Sequence, residues 1–322
     1  MRKSVKYILI FIFAFIVFLF LNNTSLFYVV ERRNPLLLAH RGLAQTFNME
    51  GITNDTDTSK RIFPPEHPYI ENTIASMEEA FKAGADIVEA DIQRTLDDKF
   101  AVFHDHKLEY RTNASGPVRN FTMEELKKLD VGHGYTADGG KTFPFRGKGI
   151  GLMPSLDEVL TRFPEGDFLL HIKSDDSSEG ELAAKFLLGL PGERLKKIVV
   201  YGGDQPISRL REKLPGLRVM SKKTLMKSLL DYEMIGWSGY VPVSCRGAWL
   251  HIPLKYAPML WGWPHKFMKR MDGAGTKVVL VAGDGKFSEG FDSSEDIKNI
   301  PPGFSGYIWT NRIDRAAAAL IK

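Results

Sequence analysis

Hydrophobic residues are distributed along this chain as one long run near the N-terminus and a series of short runs after it. The short runs are five to seven residues long, and several are apolar throughout instead of alternating with polar residues. A strand that is buried on both faces has this pattern, so the runs predict strands of a parallel sheet. The predicted strands are residues 36–40, 86–92, 100–104, 167–173, 197–201, 217–221, 247–252, 277–282 and 306–310.

The segments between these strands carry signals for helix starts. A Ser or Thr followed three residues later by Glu is typical of a capping box. Three pairs fit: Thr122 with Glu125, Ser155 with Glu158 and Ser178 with Glu181. A further helix is predicted over residues 72–83, because Gly84 follows as a C-terminal signal. Its Ile74, Met77 and Phe81 share one helical face.

Alternating strands and helices over residues 34–322 predict an α/β fold with a parallel sheet. Nine strands are one too many for an eight-stranded barrel. Only residues 93–99 separate the 86–92 and 100–104 runs, and a parallel crossover needs about a dozen residues or more, so these two should form a hairpin. The remaining eight strands predict a TIM-type (β/α)8 barrel, which typically takes about 250 residues.

The long run, Tyr7 to Leu21, contains only apolar and aromatic residues. At ~1.5 Å per residue it spans roughly 22 Å, and it reaches the ~30 Å of a bilayer only if the following residues through Val30 are included. No small-residue cleavage site of the A-x-A kind follows it, which favours an uncleaved signal anchor over a cleaved signal peptide. A buried core helix is disfavoured because the run has no polar face.

Charged residues flank this run unevenly. Arg2, Lys3 and Lys6 precede it, whereas Glu31 offsets the two arginines that follow. The positive-inside rule then predicts a cytoplasmic N-terminus, a transmembrane anchor within residues 1–33 and an extracytoplasmic domain over 34–322.

The net charge of +4 comes from the N-terminal segment. Of 43 Lys and Arg and 39 Asp and Glu, residues 1–33 hold five and one, which leaves 38 of each sign in the rest. A neutral domain has no basic footprint for nucleic acid, so no nucleic-acid partner is expected. The single cysteine, Cys245, excludes an intrachain disulfide and a cysteine-rich zinc site. The sequence leaves the oligomeric state open.

Two connections are unusually long. Residues 43–70 are polar and irregular, and residues 132–153 are rich in glycine. Unstructured loops in compact domains seldom exceed about 12–15 residues. Each is either a tolerated surface insertion or a lid over an active site.

Polar residues of catalytic type collect where the predicted strands end. Barrel enzymes place their chemistry at this face, and a Glu-x-Asp or His-x-Lys pair projects to one side of a strand. The residues are His40 and Arg41, Glu89 and Asp91, His104, and His171 and Lys173. Each alone is a weak signal, but buried strand ends should not collect all of them without a use.

Several motifs resemble the glycerophosphodiester phosphodiesterase family. They are AHRG at 39–42, ENT at 71–73, the segment 84–112, FTMEELKKLDVG at 121–132 and MPSLDEVL at 153–160. The resemblance is dense over residues 36–175 and sparse beyond. It implies a TIM-type barrel that hydrolyses a glycerophosphodiester to glycerol 3-phosphate and an alcohol with the help of a divalent cation.

The resemblance also implies roles for the residues. His40 and His104 match the general acid and base, and Arg41 and Lys173 would hold phosphate oxygens. Glu89 and Asp91 match metal ligands, and Glu71 matches the acidic residue of ENT. Carboxylate oxygens favour Mg²⁺ or Ca²⁺.

Three features depart from the family pattern. His171 stands where the family has Glu, which replaces an oxygen ligand by imidazole and favours Mn²⁺ or Zn²⁺. The 28 residues of 43–70 separate two motifs that the family keeps close, and Thr310-Asn311 stands in place of Thr-Asp. The chain is therefore expected to be a divergent member.

Two alternatives stay open. One is a lysophospholipase D-like enzyme that acts on a membrane lipid, for which the apolar N-terminal run and the aromatic segment 249–268 argue. In that segment, Trp261 and Trp263 would either pack in the barrel rim or contact an acyl chain or the bilayer. The other is a catalytically inactive barrel that binds a phosphorylated ligand or a partner, for which His171 and the long insertion argue.

Overall fold

A computed structural model describes residues 3–29, 34–53, 55–285 and 289–321. All nine predicted strands are present, each with its ends within two residues of the prediction. They are β1 Leu36–Ala39, β2 Ile87–Arg94, β3 Phe100–Val102, β4 Phe168–Ile172, β5 Ile198–Gly202, β6 Arg218–Ser221, β7 Trp249–Pro253, β8 Lys277–Val281 and β9 Tyr307–Thr310.

Helices alternate with these strands along most of the chain. They are α1 Lys3–Asn23, α2 Ile74–Lys82, α3 Met123–Leu126, α4 Leu156–Arg162, α5 Ser177–Leu188, α6 Gly192–Lys196, α7 Asp204–Lys213, α8 Lys222–Ile235, α9 His265–Gly273, α10 Ser294–Lys298 and α11 Ile313–Ile321. Short 3₁₀ turns supplement them, including one over Gly236–Ser238 directly after α8.

Eight strands form one parallel sheet in the order β6-β5-β4-β2-β1-β9-β8-β7. The two end strands also lie side by side, and Arg218 of β6 donates a hydrogen bond to the carbonyl oxygen of Gly247, just before β7, at 3.2 Å. The sheet therefore closes almost completely into the predicted TIM-type barrel. β3 pairs antiparallel with β2, which confirms the predicted hairpin and explains the ninth strand.

Two of the three predicted capping boxes are present, at Thr122 with Glu125 and at Ser155 with Glu158. The box at Ser178 is wrong. Asp176 caps α5 instead, because its carboxylate accepts a hydrogen bond from the Ser178 backbone N–H, and Ser178 lies inside the helix. A carboxylate at the N-cap satisfies an otherwise unpaired backbone donor as well as a hydroxyl does.

Two apolar layers hold the barrel together. One fills the space between strands and surrounding helices, and Met77 and Ala80 of α2 are fully buried in it. The other fills the barrel interior. Its buried members are Leu38, Ile87, Leu169, Val199, Met220, Trp249, Val279, Val281 and Trp309.

The two long connections are ordered by a third apolar cluster outside the barrel. Ile62 and Ile70 of the first connection pack in this cluster with Tyr135 and Phe145 of the second. The Thr136 backbone N–H also donates to the Ser59 carbonyl oxygen at 2.9 Å. The connections therefore form one packed layer beside the barrel.

Helix α1 contains a 20-residue apolar stretch, Ser4–Asn23, none of which is buried against the rest of the protein. Its C-terminal end nevertheless contacts the barrel near the turn after α8. The Asn22 and Asn23 side-chain amides each donate to the Trp237 carbonyl oxygen at 2.9 Å, and the Phe15 ring meets the Trp237 ring edge-on at 5.6 Å. Arg2 and residues 30–33, on which the predicted orientation and the end of the predicted span depend, lie outside the described residues.

Candidate active site

Strand pleating brings the predicted polar residues together inside the barrel. Glu89 and Asp91 lie two and four residues after interior Ile87, and His171 lies two after interior Leu169, so all three share the inner face. They lie toward the carboxyl ends of β2 and β4, at the face where barrel enzymes place catalysis.

A strained turn after β1 directs Arg41 over this face. Arg41 has a left-handed φ of 59°, and Gly42 follows with a φ of 78°. A Cβ on Gly42 would lie 2.8 Å from the backbone carbonyl carbon of Ser76, so only glycine fits against α2. The Asn72 backbone N–H donates to the Arg41 carbonyl oxygen at 3.0 Å and holds the turn. The AHRG and ENT motifs thus hold each other in position through their backbones.

Glu89, Asp91 and His171 form a group suited to a divalent cation. One ligand atom from each lies within 4.8 Å of the others. Both carboxylates are fully buried, and the His171 side chain is about one quarter exposed. Two carboxylates with one imidazole are an acceptable donor set for Mn²⁺ or Zn²⁺ as well as for harder cations. The three residues therefore fit a bound metal.

Cationic side chains neighbour this group. Arg41 Nε lies 3.2 Å from Asp91 Oδ2, and Lys173 Nζ lies 3.4 Å from Asp91 Oδ1. Burial and the neighbouring Asp91 charge raise the pKa of Glu89 well above its usual value. Burial also acts to raise the pKa of Asp91, but Lys173, followed by His104 and Arg41, holds it well below its usual value. The pKa values of the two carboxylates are thus shifted in opposite directions, and Glu89 takes up a proton more readily than Asp91.

His40 is oriented by a pair of residues at the end of β9. The Asn311 side-chain N–H donates to Asp292 Oδ2 at 2.8 Å, which turns the amide oxygen of Asn311 toward His40 Nδ1 at 2.6 Å. Because that oxygen only accepts, Nδ1 carries the proton, and the lone pair of Nε2 accepts a hydrogen bond from Arg41 Nε at 3.0 Å. Burial, and then the Arg41 charge, hold the pKa of His40 well below its usual value.

His104 is oriented by a second pair. Its Nδ1–H donates to Asp105 Oδ1 at 2.7 Å, and the other oxygen of Asp105 accepts from Arg111. Nε2 is thus the nitrogen of His104 that is left to give or take a proton. Burial, and then the Arg41 charge, hold the pKa of His104 well below its usual value.

Glu71, the predicted metal residue of ENT, lies between two arginines. Its Oε1 accepts from Arg41 Nη1 at 2.8 Å and lies 3.4 Å from Arg111 Nη2. Burial acts to raise the pKa of Glu71, but Arg111 and Arg41 hold it below its usual value. Among the described residues, the grouped metal-type ligands are Glu89, Asp91 and His171, without Glu71. The geometry supports a role in holding Arg41.

The insertion 43–70 forms one wall of the site. A cavity of about 350 Å³ is lined on one side by Thr53, Asp55 and Thr56, and on the other by site residues that include His104 and Lys173. The insertion therefore contributes surface to the site, as the lid hypothesis requires.

Sequence reasoning missed several residues that touch the predicted ones. The Tyr201 hydroxyl donates to Glu89 Oε1 at 2.8 Å, and its ring stacks on His171 at 4.1 Å. The Asn72 side chain donates to Asp91 Oδ2 at 2.9 Å, and the Trp309 ring lies 4.5 Å from His40. Tyr201 and Trp309 end apolar strands, where the same position rule that selected His40 could have found them.

Arg111 is the buried cation on which the outer side of the site depends, because it contacts Asp105, Glu71 and the Thr58 hydroxyl. We expect Arg111→Met to lower the free energy of unfolding by about 3–5 kcal/mol, since it leaves the buried Asp105 carboxylate without its cation and leaves Glu71 with Arg41 alone. Arg119→Met is the control, because Arg119 is half exposed and its ion pair with Asp176 should be worth less than about 1 kcal/mol. Denaturant titration of the full chain measures both, and equal losses would contradict the expectation.

Parts of this chain are similar to known sequences, and its fold is similar to solved structures. Residues 40–185 match the sequence model of the glycerophosphoryl diester phosphodiesterase family. A glycerophosphodiester phosphodiesterase of Bacillus subtilis is 37% identical over 183 residues, which covers 52% of this chain and 59% of that protein. The chain thus spans about three fifths of the length of the first curated relatives it matches.

Solved structures share the fold over most of both chains. The glycerophosphodiester phosphodiesterase of Agrobacterium tumefaciens superposes with a TM-score of 0.58 at 20% identity, covering 88% of this chain and all of that one. A phosphodiesterase of Oleispira antarctica, solved with its product sn-glycerol-3-phosphate, gives 0.57 at 16% identity and covers 89% and 97%. The segment 40–185 is thus similar to the glycerophosphoryl diester phosphodiesterase family, and the chain shares its barrel fold with solved structures of that name.

Proposed function

We propose that this protein is a metal-dependent glycerophosphodiester phosphodiesterase that releases glycerol 3-phosphate and an alcohol. The observation that carries the proposal is the placement of His40 and His104, each fixed in one tautomer, around the buried group of Glu89, Asp91 and His171. The names and product of the relatives support the choice of substrate.

The two histidines would divide the proton transfers. His40 has a cation beside it and a neutral amide behind it, so it stays neutral and suits the general base that takes a proton from the attacking nucleophile. His104 has the Asp105 carboxylate behind it, so an imidazolium is better compensated there than at His40. This difference suits His104 to the general acid that protonates the leaving oxygen, once a bound phosphate anion counters burial and the Arg41 charge, which lower the pKa of His104.

Arg41 and Lys173 would hold the phosphate oxygens beside this group, since both side chains already line one cavity with His104. Glu89, Asp91 and His171 would hold the divalent cation. When bound, such a cation supplies Lewis-acid polarisation of the phosphoryl oxygen and offsets developing charge. The hypothesis of an inactive barrel has less support, because His171 keeps a donor nitrogen next to both carboxylates.

The histidine roles are tested with two leaving groups. We expect His40→Ala and His104→Ala each to lower kcat on a glycerophosphodiester by about 100-fold to 10,000-fold, since each removes one proton transfer. A nitrophenol leaving group needs no acid, so it should restore turnover to His104→Ala and not to His40→Ala. His133→Ala, in an exposed loop position, is the control. The role assignment is wrong if nitrophenol rescues both variants equally.

Metal dependence is tested by removal and replacement. We expect EDTA to abolish turnover, and Mn²⁺ or Zn²⁺ to restore it better than Mg²⁺ or Ca²⁺ because of the imidazole ligand. His171→Glu should move the preference toward Mg²⁺ or Ca²⁺, whereas His133→Glu should not. Full activity in EDTA would contradict metal dependence, and an unchanged metal preference in His171→Glu would contradict its role as a ligand.

We also propose that α1 anchors the protein in a membrane as an uncleaved helix, with the barrel outside the cytoplasm. The support is the exposed 20-residue apolar stretch together with the contacts of its C-terminal end. The Arg270 guanidinium, for example, donates to the Asn22 carbonyl oxygen at 2.8 Å, and Ser25 Oγ donates to the Trp263 carbonyl oxygen at 3.2 Å. Cleavage after Ser25 would remove these partners from the barrel.

Fractionation tests this proposal. After expression in bacterial cells, the full chain should stay in the membrane pellet after alkaline extraction, and protease added outside the inner membrane should digest the barrel. A soluble protein with a shortened N-terminus would show a cleaved signal peptide instead. A protected barrel would show the opposite orientation.

A further inference from the structure

A second cavity adjoins the candidate active site on the side away from the insertion. Its volume is about 480 Å³, within the range of ligand pockets. Helix α8 forms one wall through Leu225, Met226 and Leu229, and the segment after β7 forms another through Tyr256 and Leu260. The remaining lining residues are Tyr201, His251, Ile252, Pro253, Val281, Gly285 and Trp309.

The lining described here carries no formal charge. Its one titratable base, His251, accepts a hydrogen bond from Trp249 Nε1 at 2.8 Å, and burial lowers the pKa of His251 to about 3. The cavity is therefore suited to an apolar group, because a charged or strongly polar one would lose hydration without gaining partners.

The inner wall of this cavity is also a wall of the active site. Tyr201 turns its hydroxyl to Glu89 and stacks on His171, while Trp309 packs beside His40. A phosphodiester bound at the histidines would thus have one substituent next to the apolar cavity. Its other substituent would face the cavity formed by the insertion, where His106 and Lys107 join the polar lining.

The aromatic segment 249–268 contributes to this cavity, although not through Trp261 or Trp263. Trp263 packs on Phe267 and Phe304 in the apolar core, and Trp261 Nε1 donates to the Glu233 carbonyl oxygen. Neither lines the cavity, whereas Tyr256 and Leu260 do.

The apolar lining continues onto the protein surface toward α1. Met226 both lines the cavity and is 45% exposed, and Leu230 and Met234 follow at four-residue intervals with 59% and 78% exposure. Residues four apart share one face of a helix. This stripe runs to the end of α8, where Trp237 contacts Phe15 of α1. An apolar surface thus connects the proposed anchor with the cavity.

We propose that the cavity between α8 and the segment after β7 binds an aliphatic chain, and that the substrate is a glycerophosphodiester carrying one acyl or alkyl chain. This inference rests on the proposed function and specifies its substrate class, so that the glycerol 3-phosphate released from this substrate carries the chain. The chain lies in the apolar cavity and the polar alcohol lies against the insertion.

The reaction then consumes one water for each diester. Its oxygen forms a bond to phosphorus, and the bond from phosphorus to the polar alcohol oxygen breaks. One water proton goes to His40, and His104 gives a proton to the leaving oxygen. The products are a chain-bearing glycerol phosphomonoester and a free polar alcohol.

Filling the cavity tests the proposal. Leu229→Trp places a large side chain into the cavity, and Leu230→Trp places the same side chain on the exposed stripe next to it. The full chain is reconstituted in phosphatidylcholine nanodiscs, and kcat/KM is measured for glycerophosphocholine and for its single-chain acyl derivative. We expect the unmodified chain to prefer the acyl substrate, and Leu229→Trp to lower kcat/KM for it by about tenfold or more, the equivalent of losing roughly two buried methylenes.

The expected control results are that Leu229→Trp leaves glycerophosphocholine turnover within about twofold, and that Leu230→Trp leaves both substrates unaffected. Equal loss on both substrates, or turnover of glycerophosphocholine alone by the unmodified chain, would overturn the chain site and leave the proposed function intact. Turnover of neither substrate would overturn the proposed function.

If neither substrate is turned over, the chain site can still be tested by a binding measurement that needs no turnover. A single-chain glycerophosphodiester with a photoactivatable group at the chain end is cross-linked to the protein and mapped by peptide mass spectrometry. Labelling of Leu225 or Tyr256 that Leu229→Trp abolishes and Leu230→Trp preserves would support the site. Labelling confined to α1 and the exposed stripe would overturn it.

Discussion

The burial of two carboxylates on one strand is the constraint around which this protein is organised. Glu89 and Asp91 project from β2 into a barrel interior that is otherwise apolar, and both are fully shielded from solvent. Isolated buried anions are too costly to persist, so the surrounding elements must supply cations and hydrogen-bond donors. Arg41 comes from the turn after β1, Lys173 from the end of β4 and the Tyr201 hydroxyl from β5.

This requirement explains why the neighbouring motifs are conformationally strained. Arg41 reaches Asp91 only because its backbone takes a left-handed conformation, and Asn72, also left-handed with a φ of 59°, holds that turn while its side chain donates to Asp91. Glu71 then fixes the guanidinium of Arg41, and Arg111 offsets the charge of Glu71. The strained turn at Arg41 is therefore held in place by a series of ion pairs, which extends through Glu71 and Arg111 to the layer outside the barrel.

The departures from the family pattern are accommodated by this network. His171 Nδ1 lies 2.9 Å from Asp91 Oδ1, so a nitrogen that binds a cation when unprotonated stays at the position where the similar family has Glu. Asn311 replaces a carboxylate behind His40, and Asp292 takes over the anchoring by accepting from the Asn311 side chain and from its backbone N–H at 2.6 Å. Both substitutions change the chemical character of their positions, with an imidazole at 171 and a neutral amide at 311. Both side chains still contact the buried groups of the site.

The sequence by itself determined the strands and the hairpin, and it pointed to the main set of candidate site residues. Continuous apolar runs and the two-residue repeat of a strand are local properties, so 36–40 and 306–310 could be recognised without knowing that they pair. Only the tertiary structure decided the partners of each group. Arg111 meets Glu71 across 40 positions, Tyr201 meets Glu89 across 112, and Asn311 meets His40 across 271. These residues are far apart in sequence and meet only when the barrel closes, because closure brings all strand ends to one face. The same closure formed the apolar cavity beside α8, whose lining comes from separate elements with no shared local pattern.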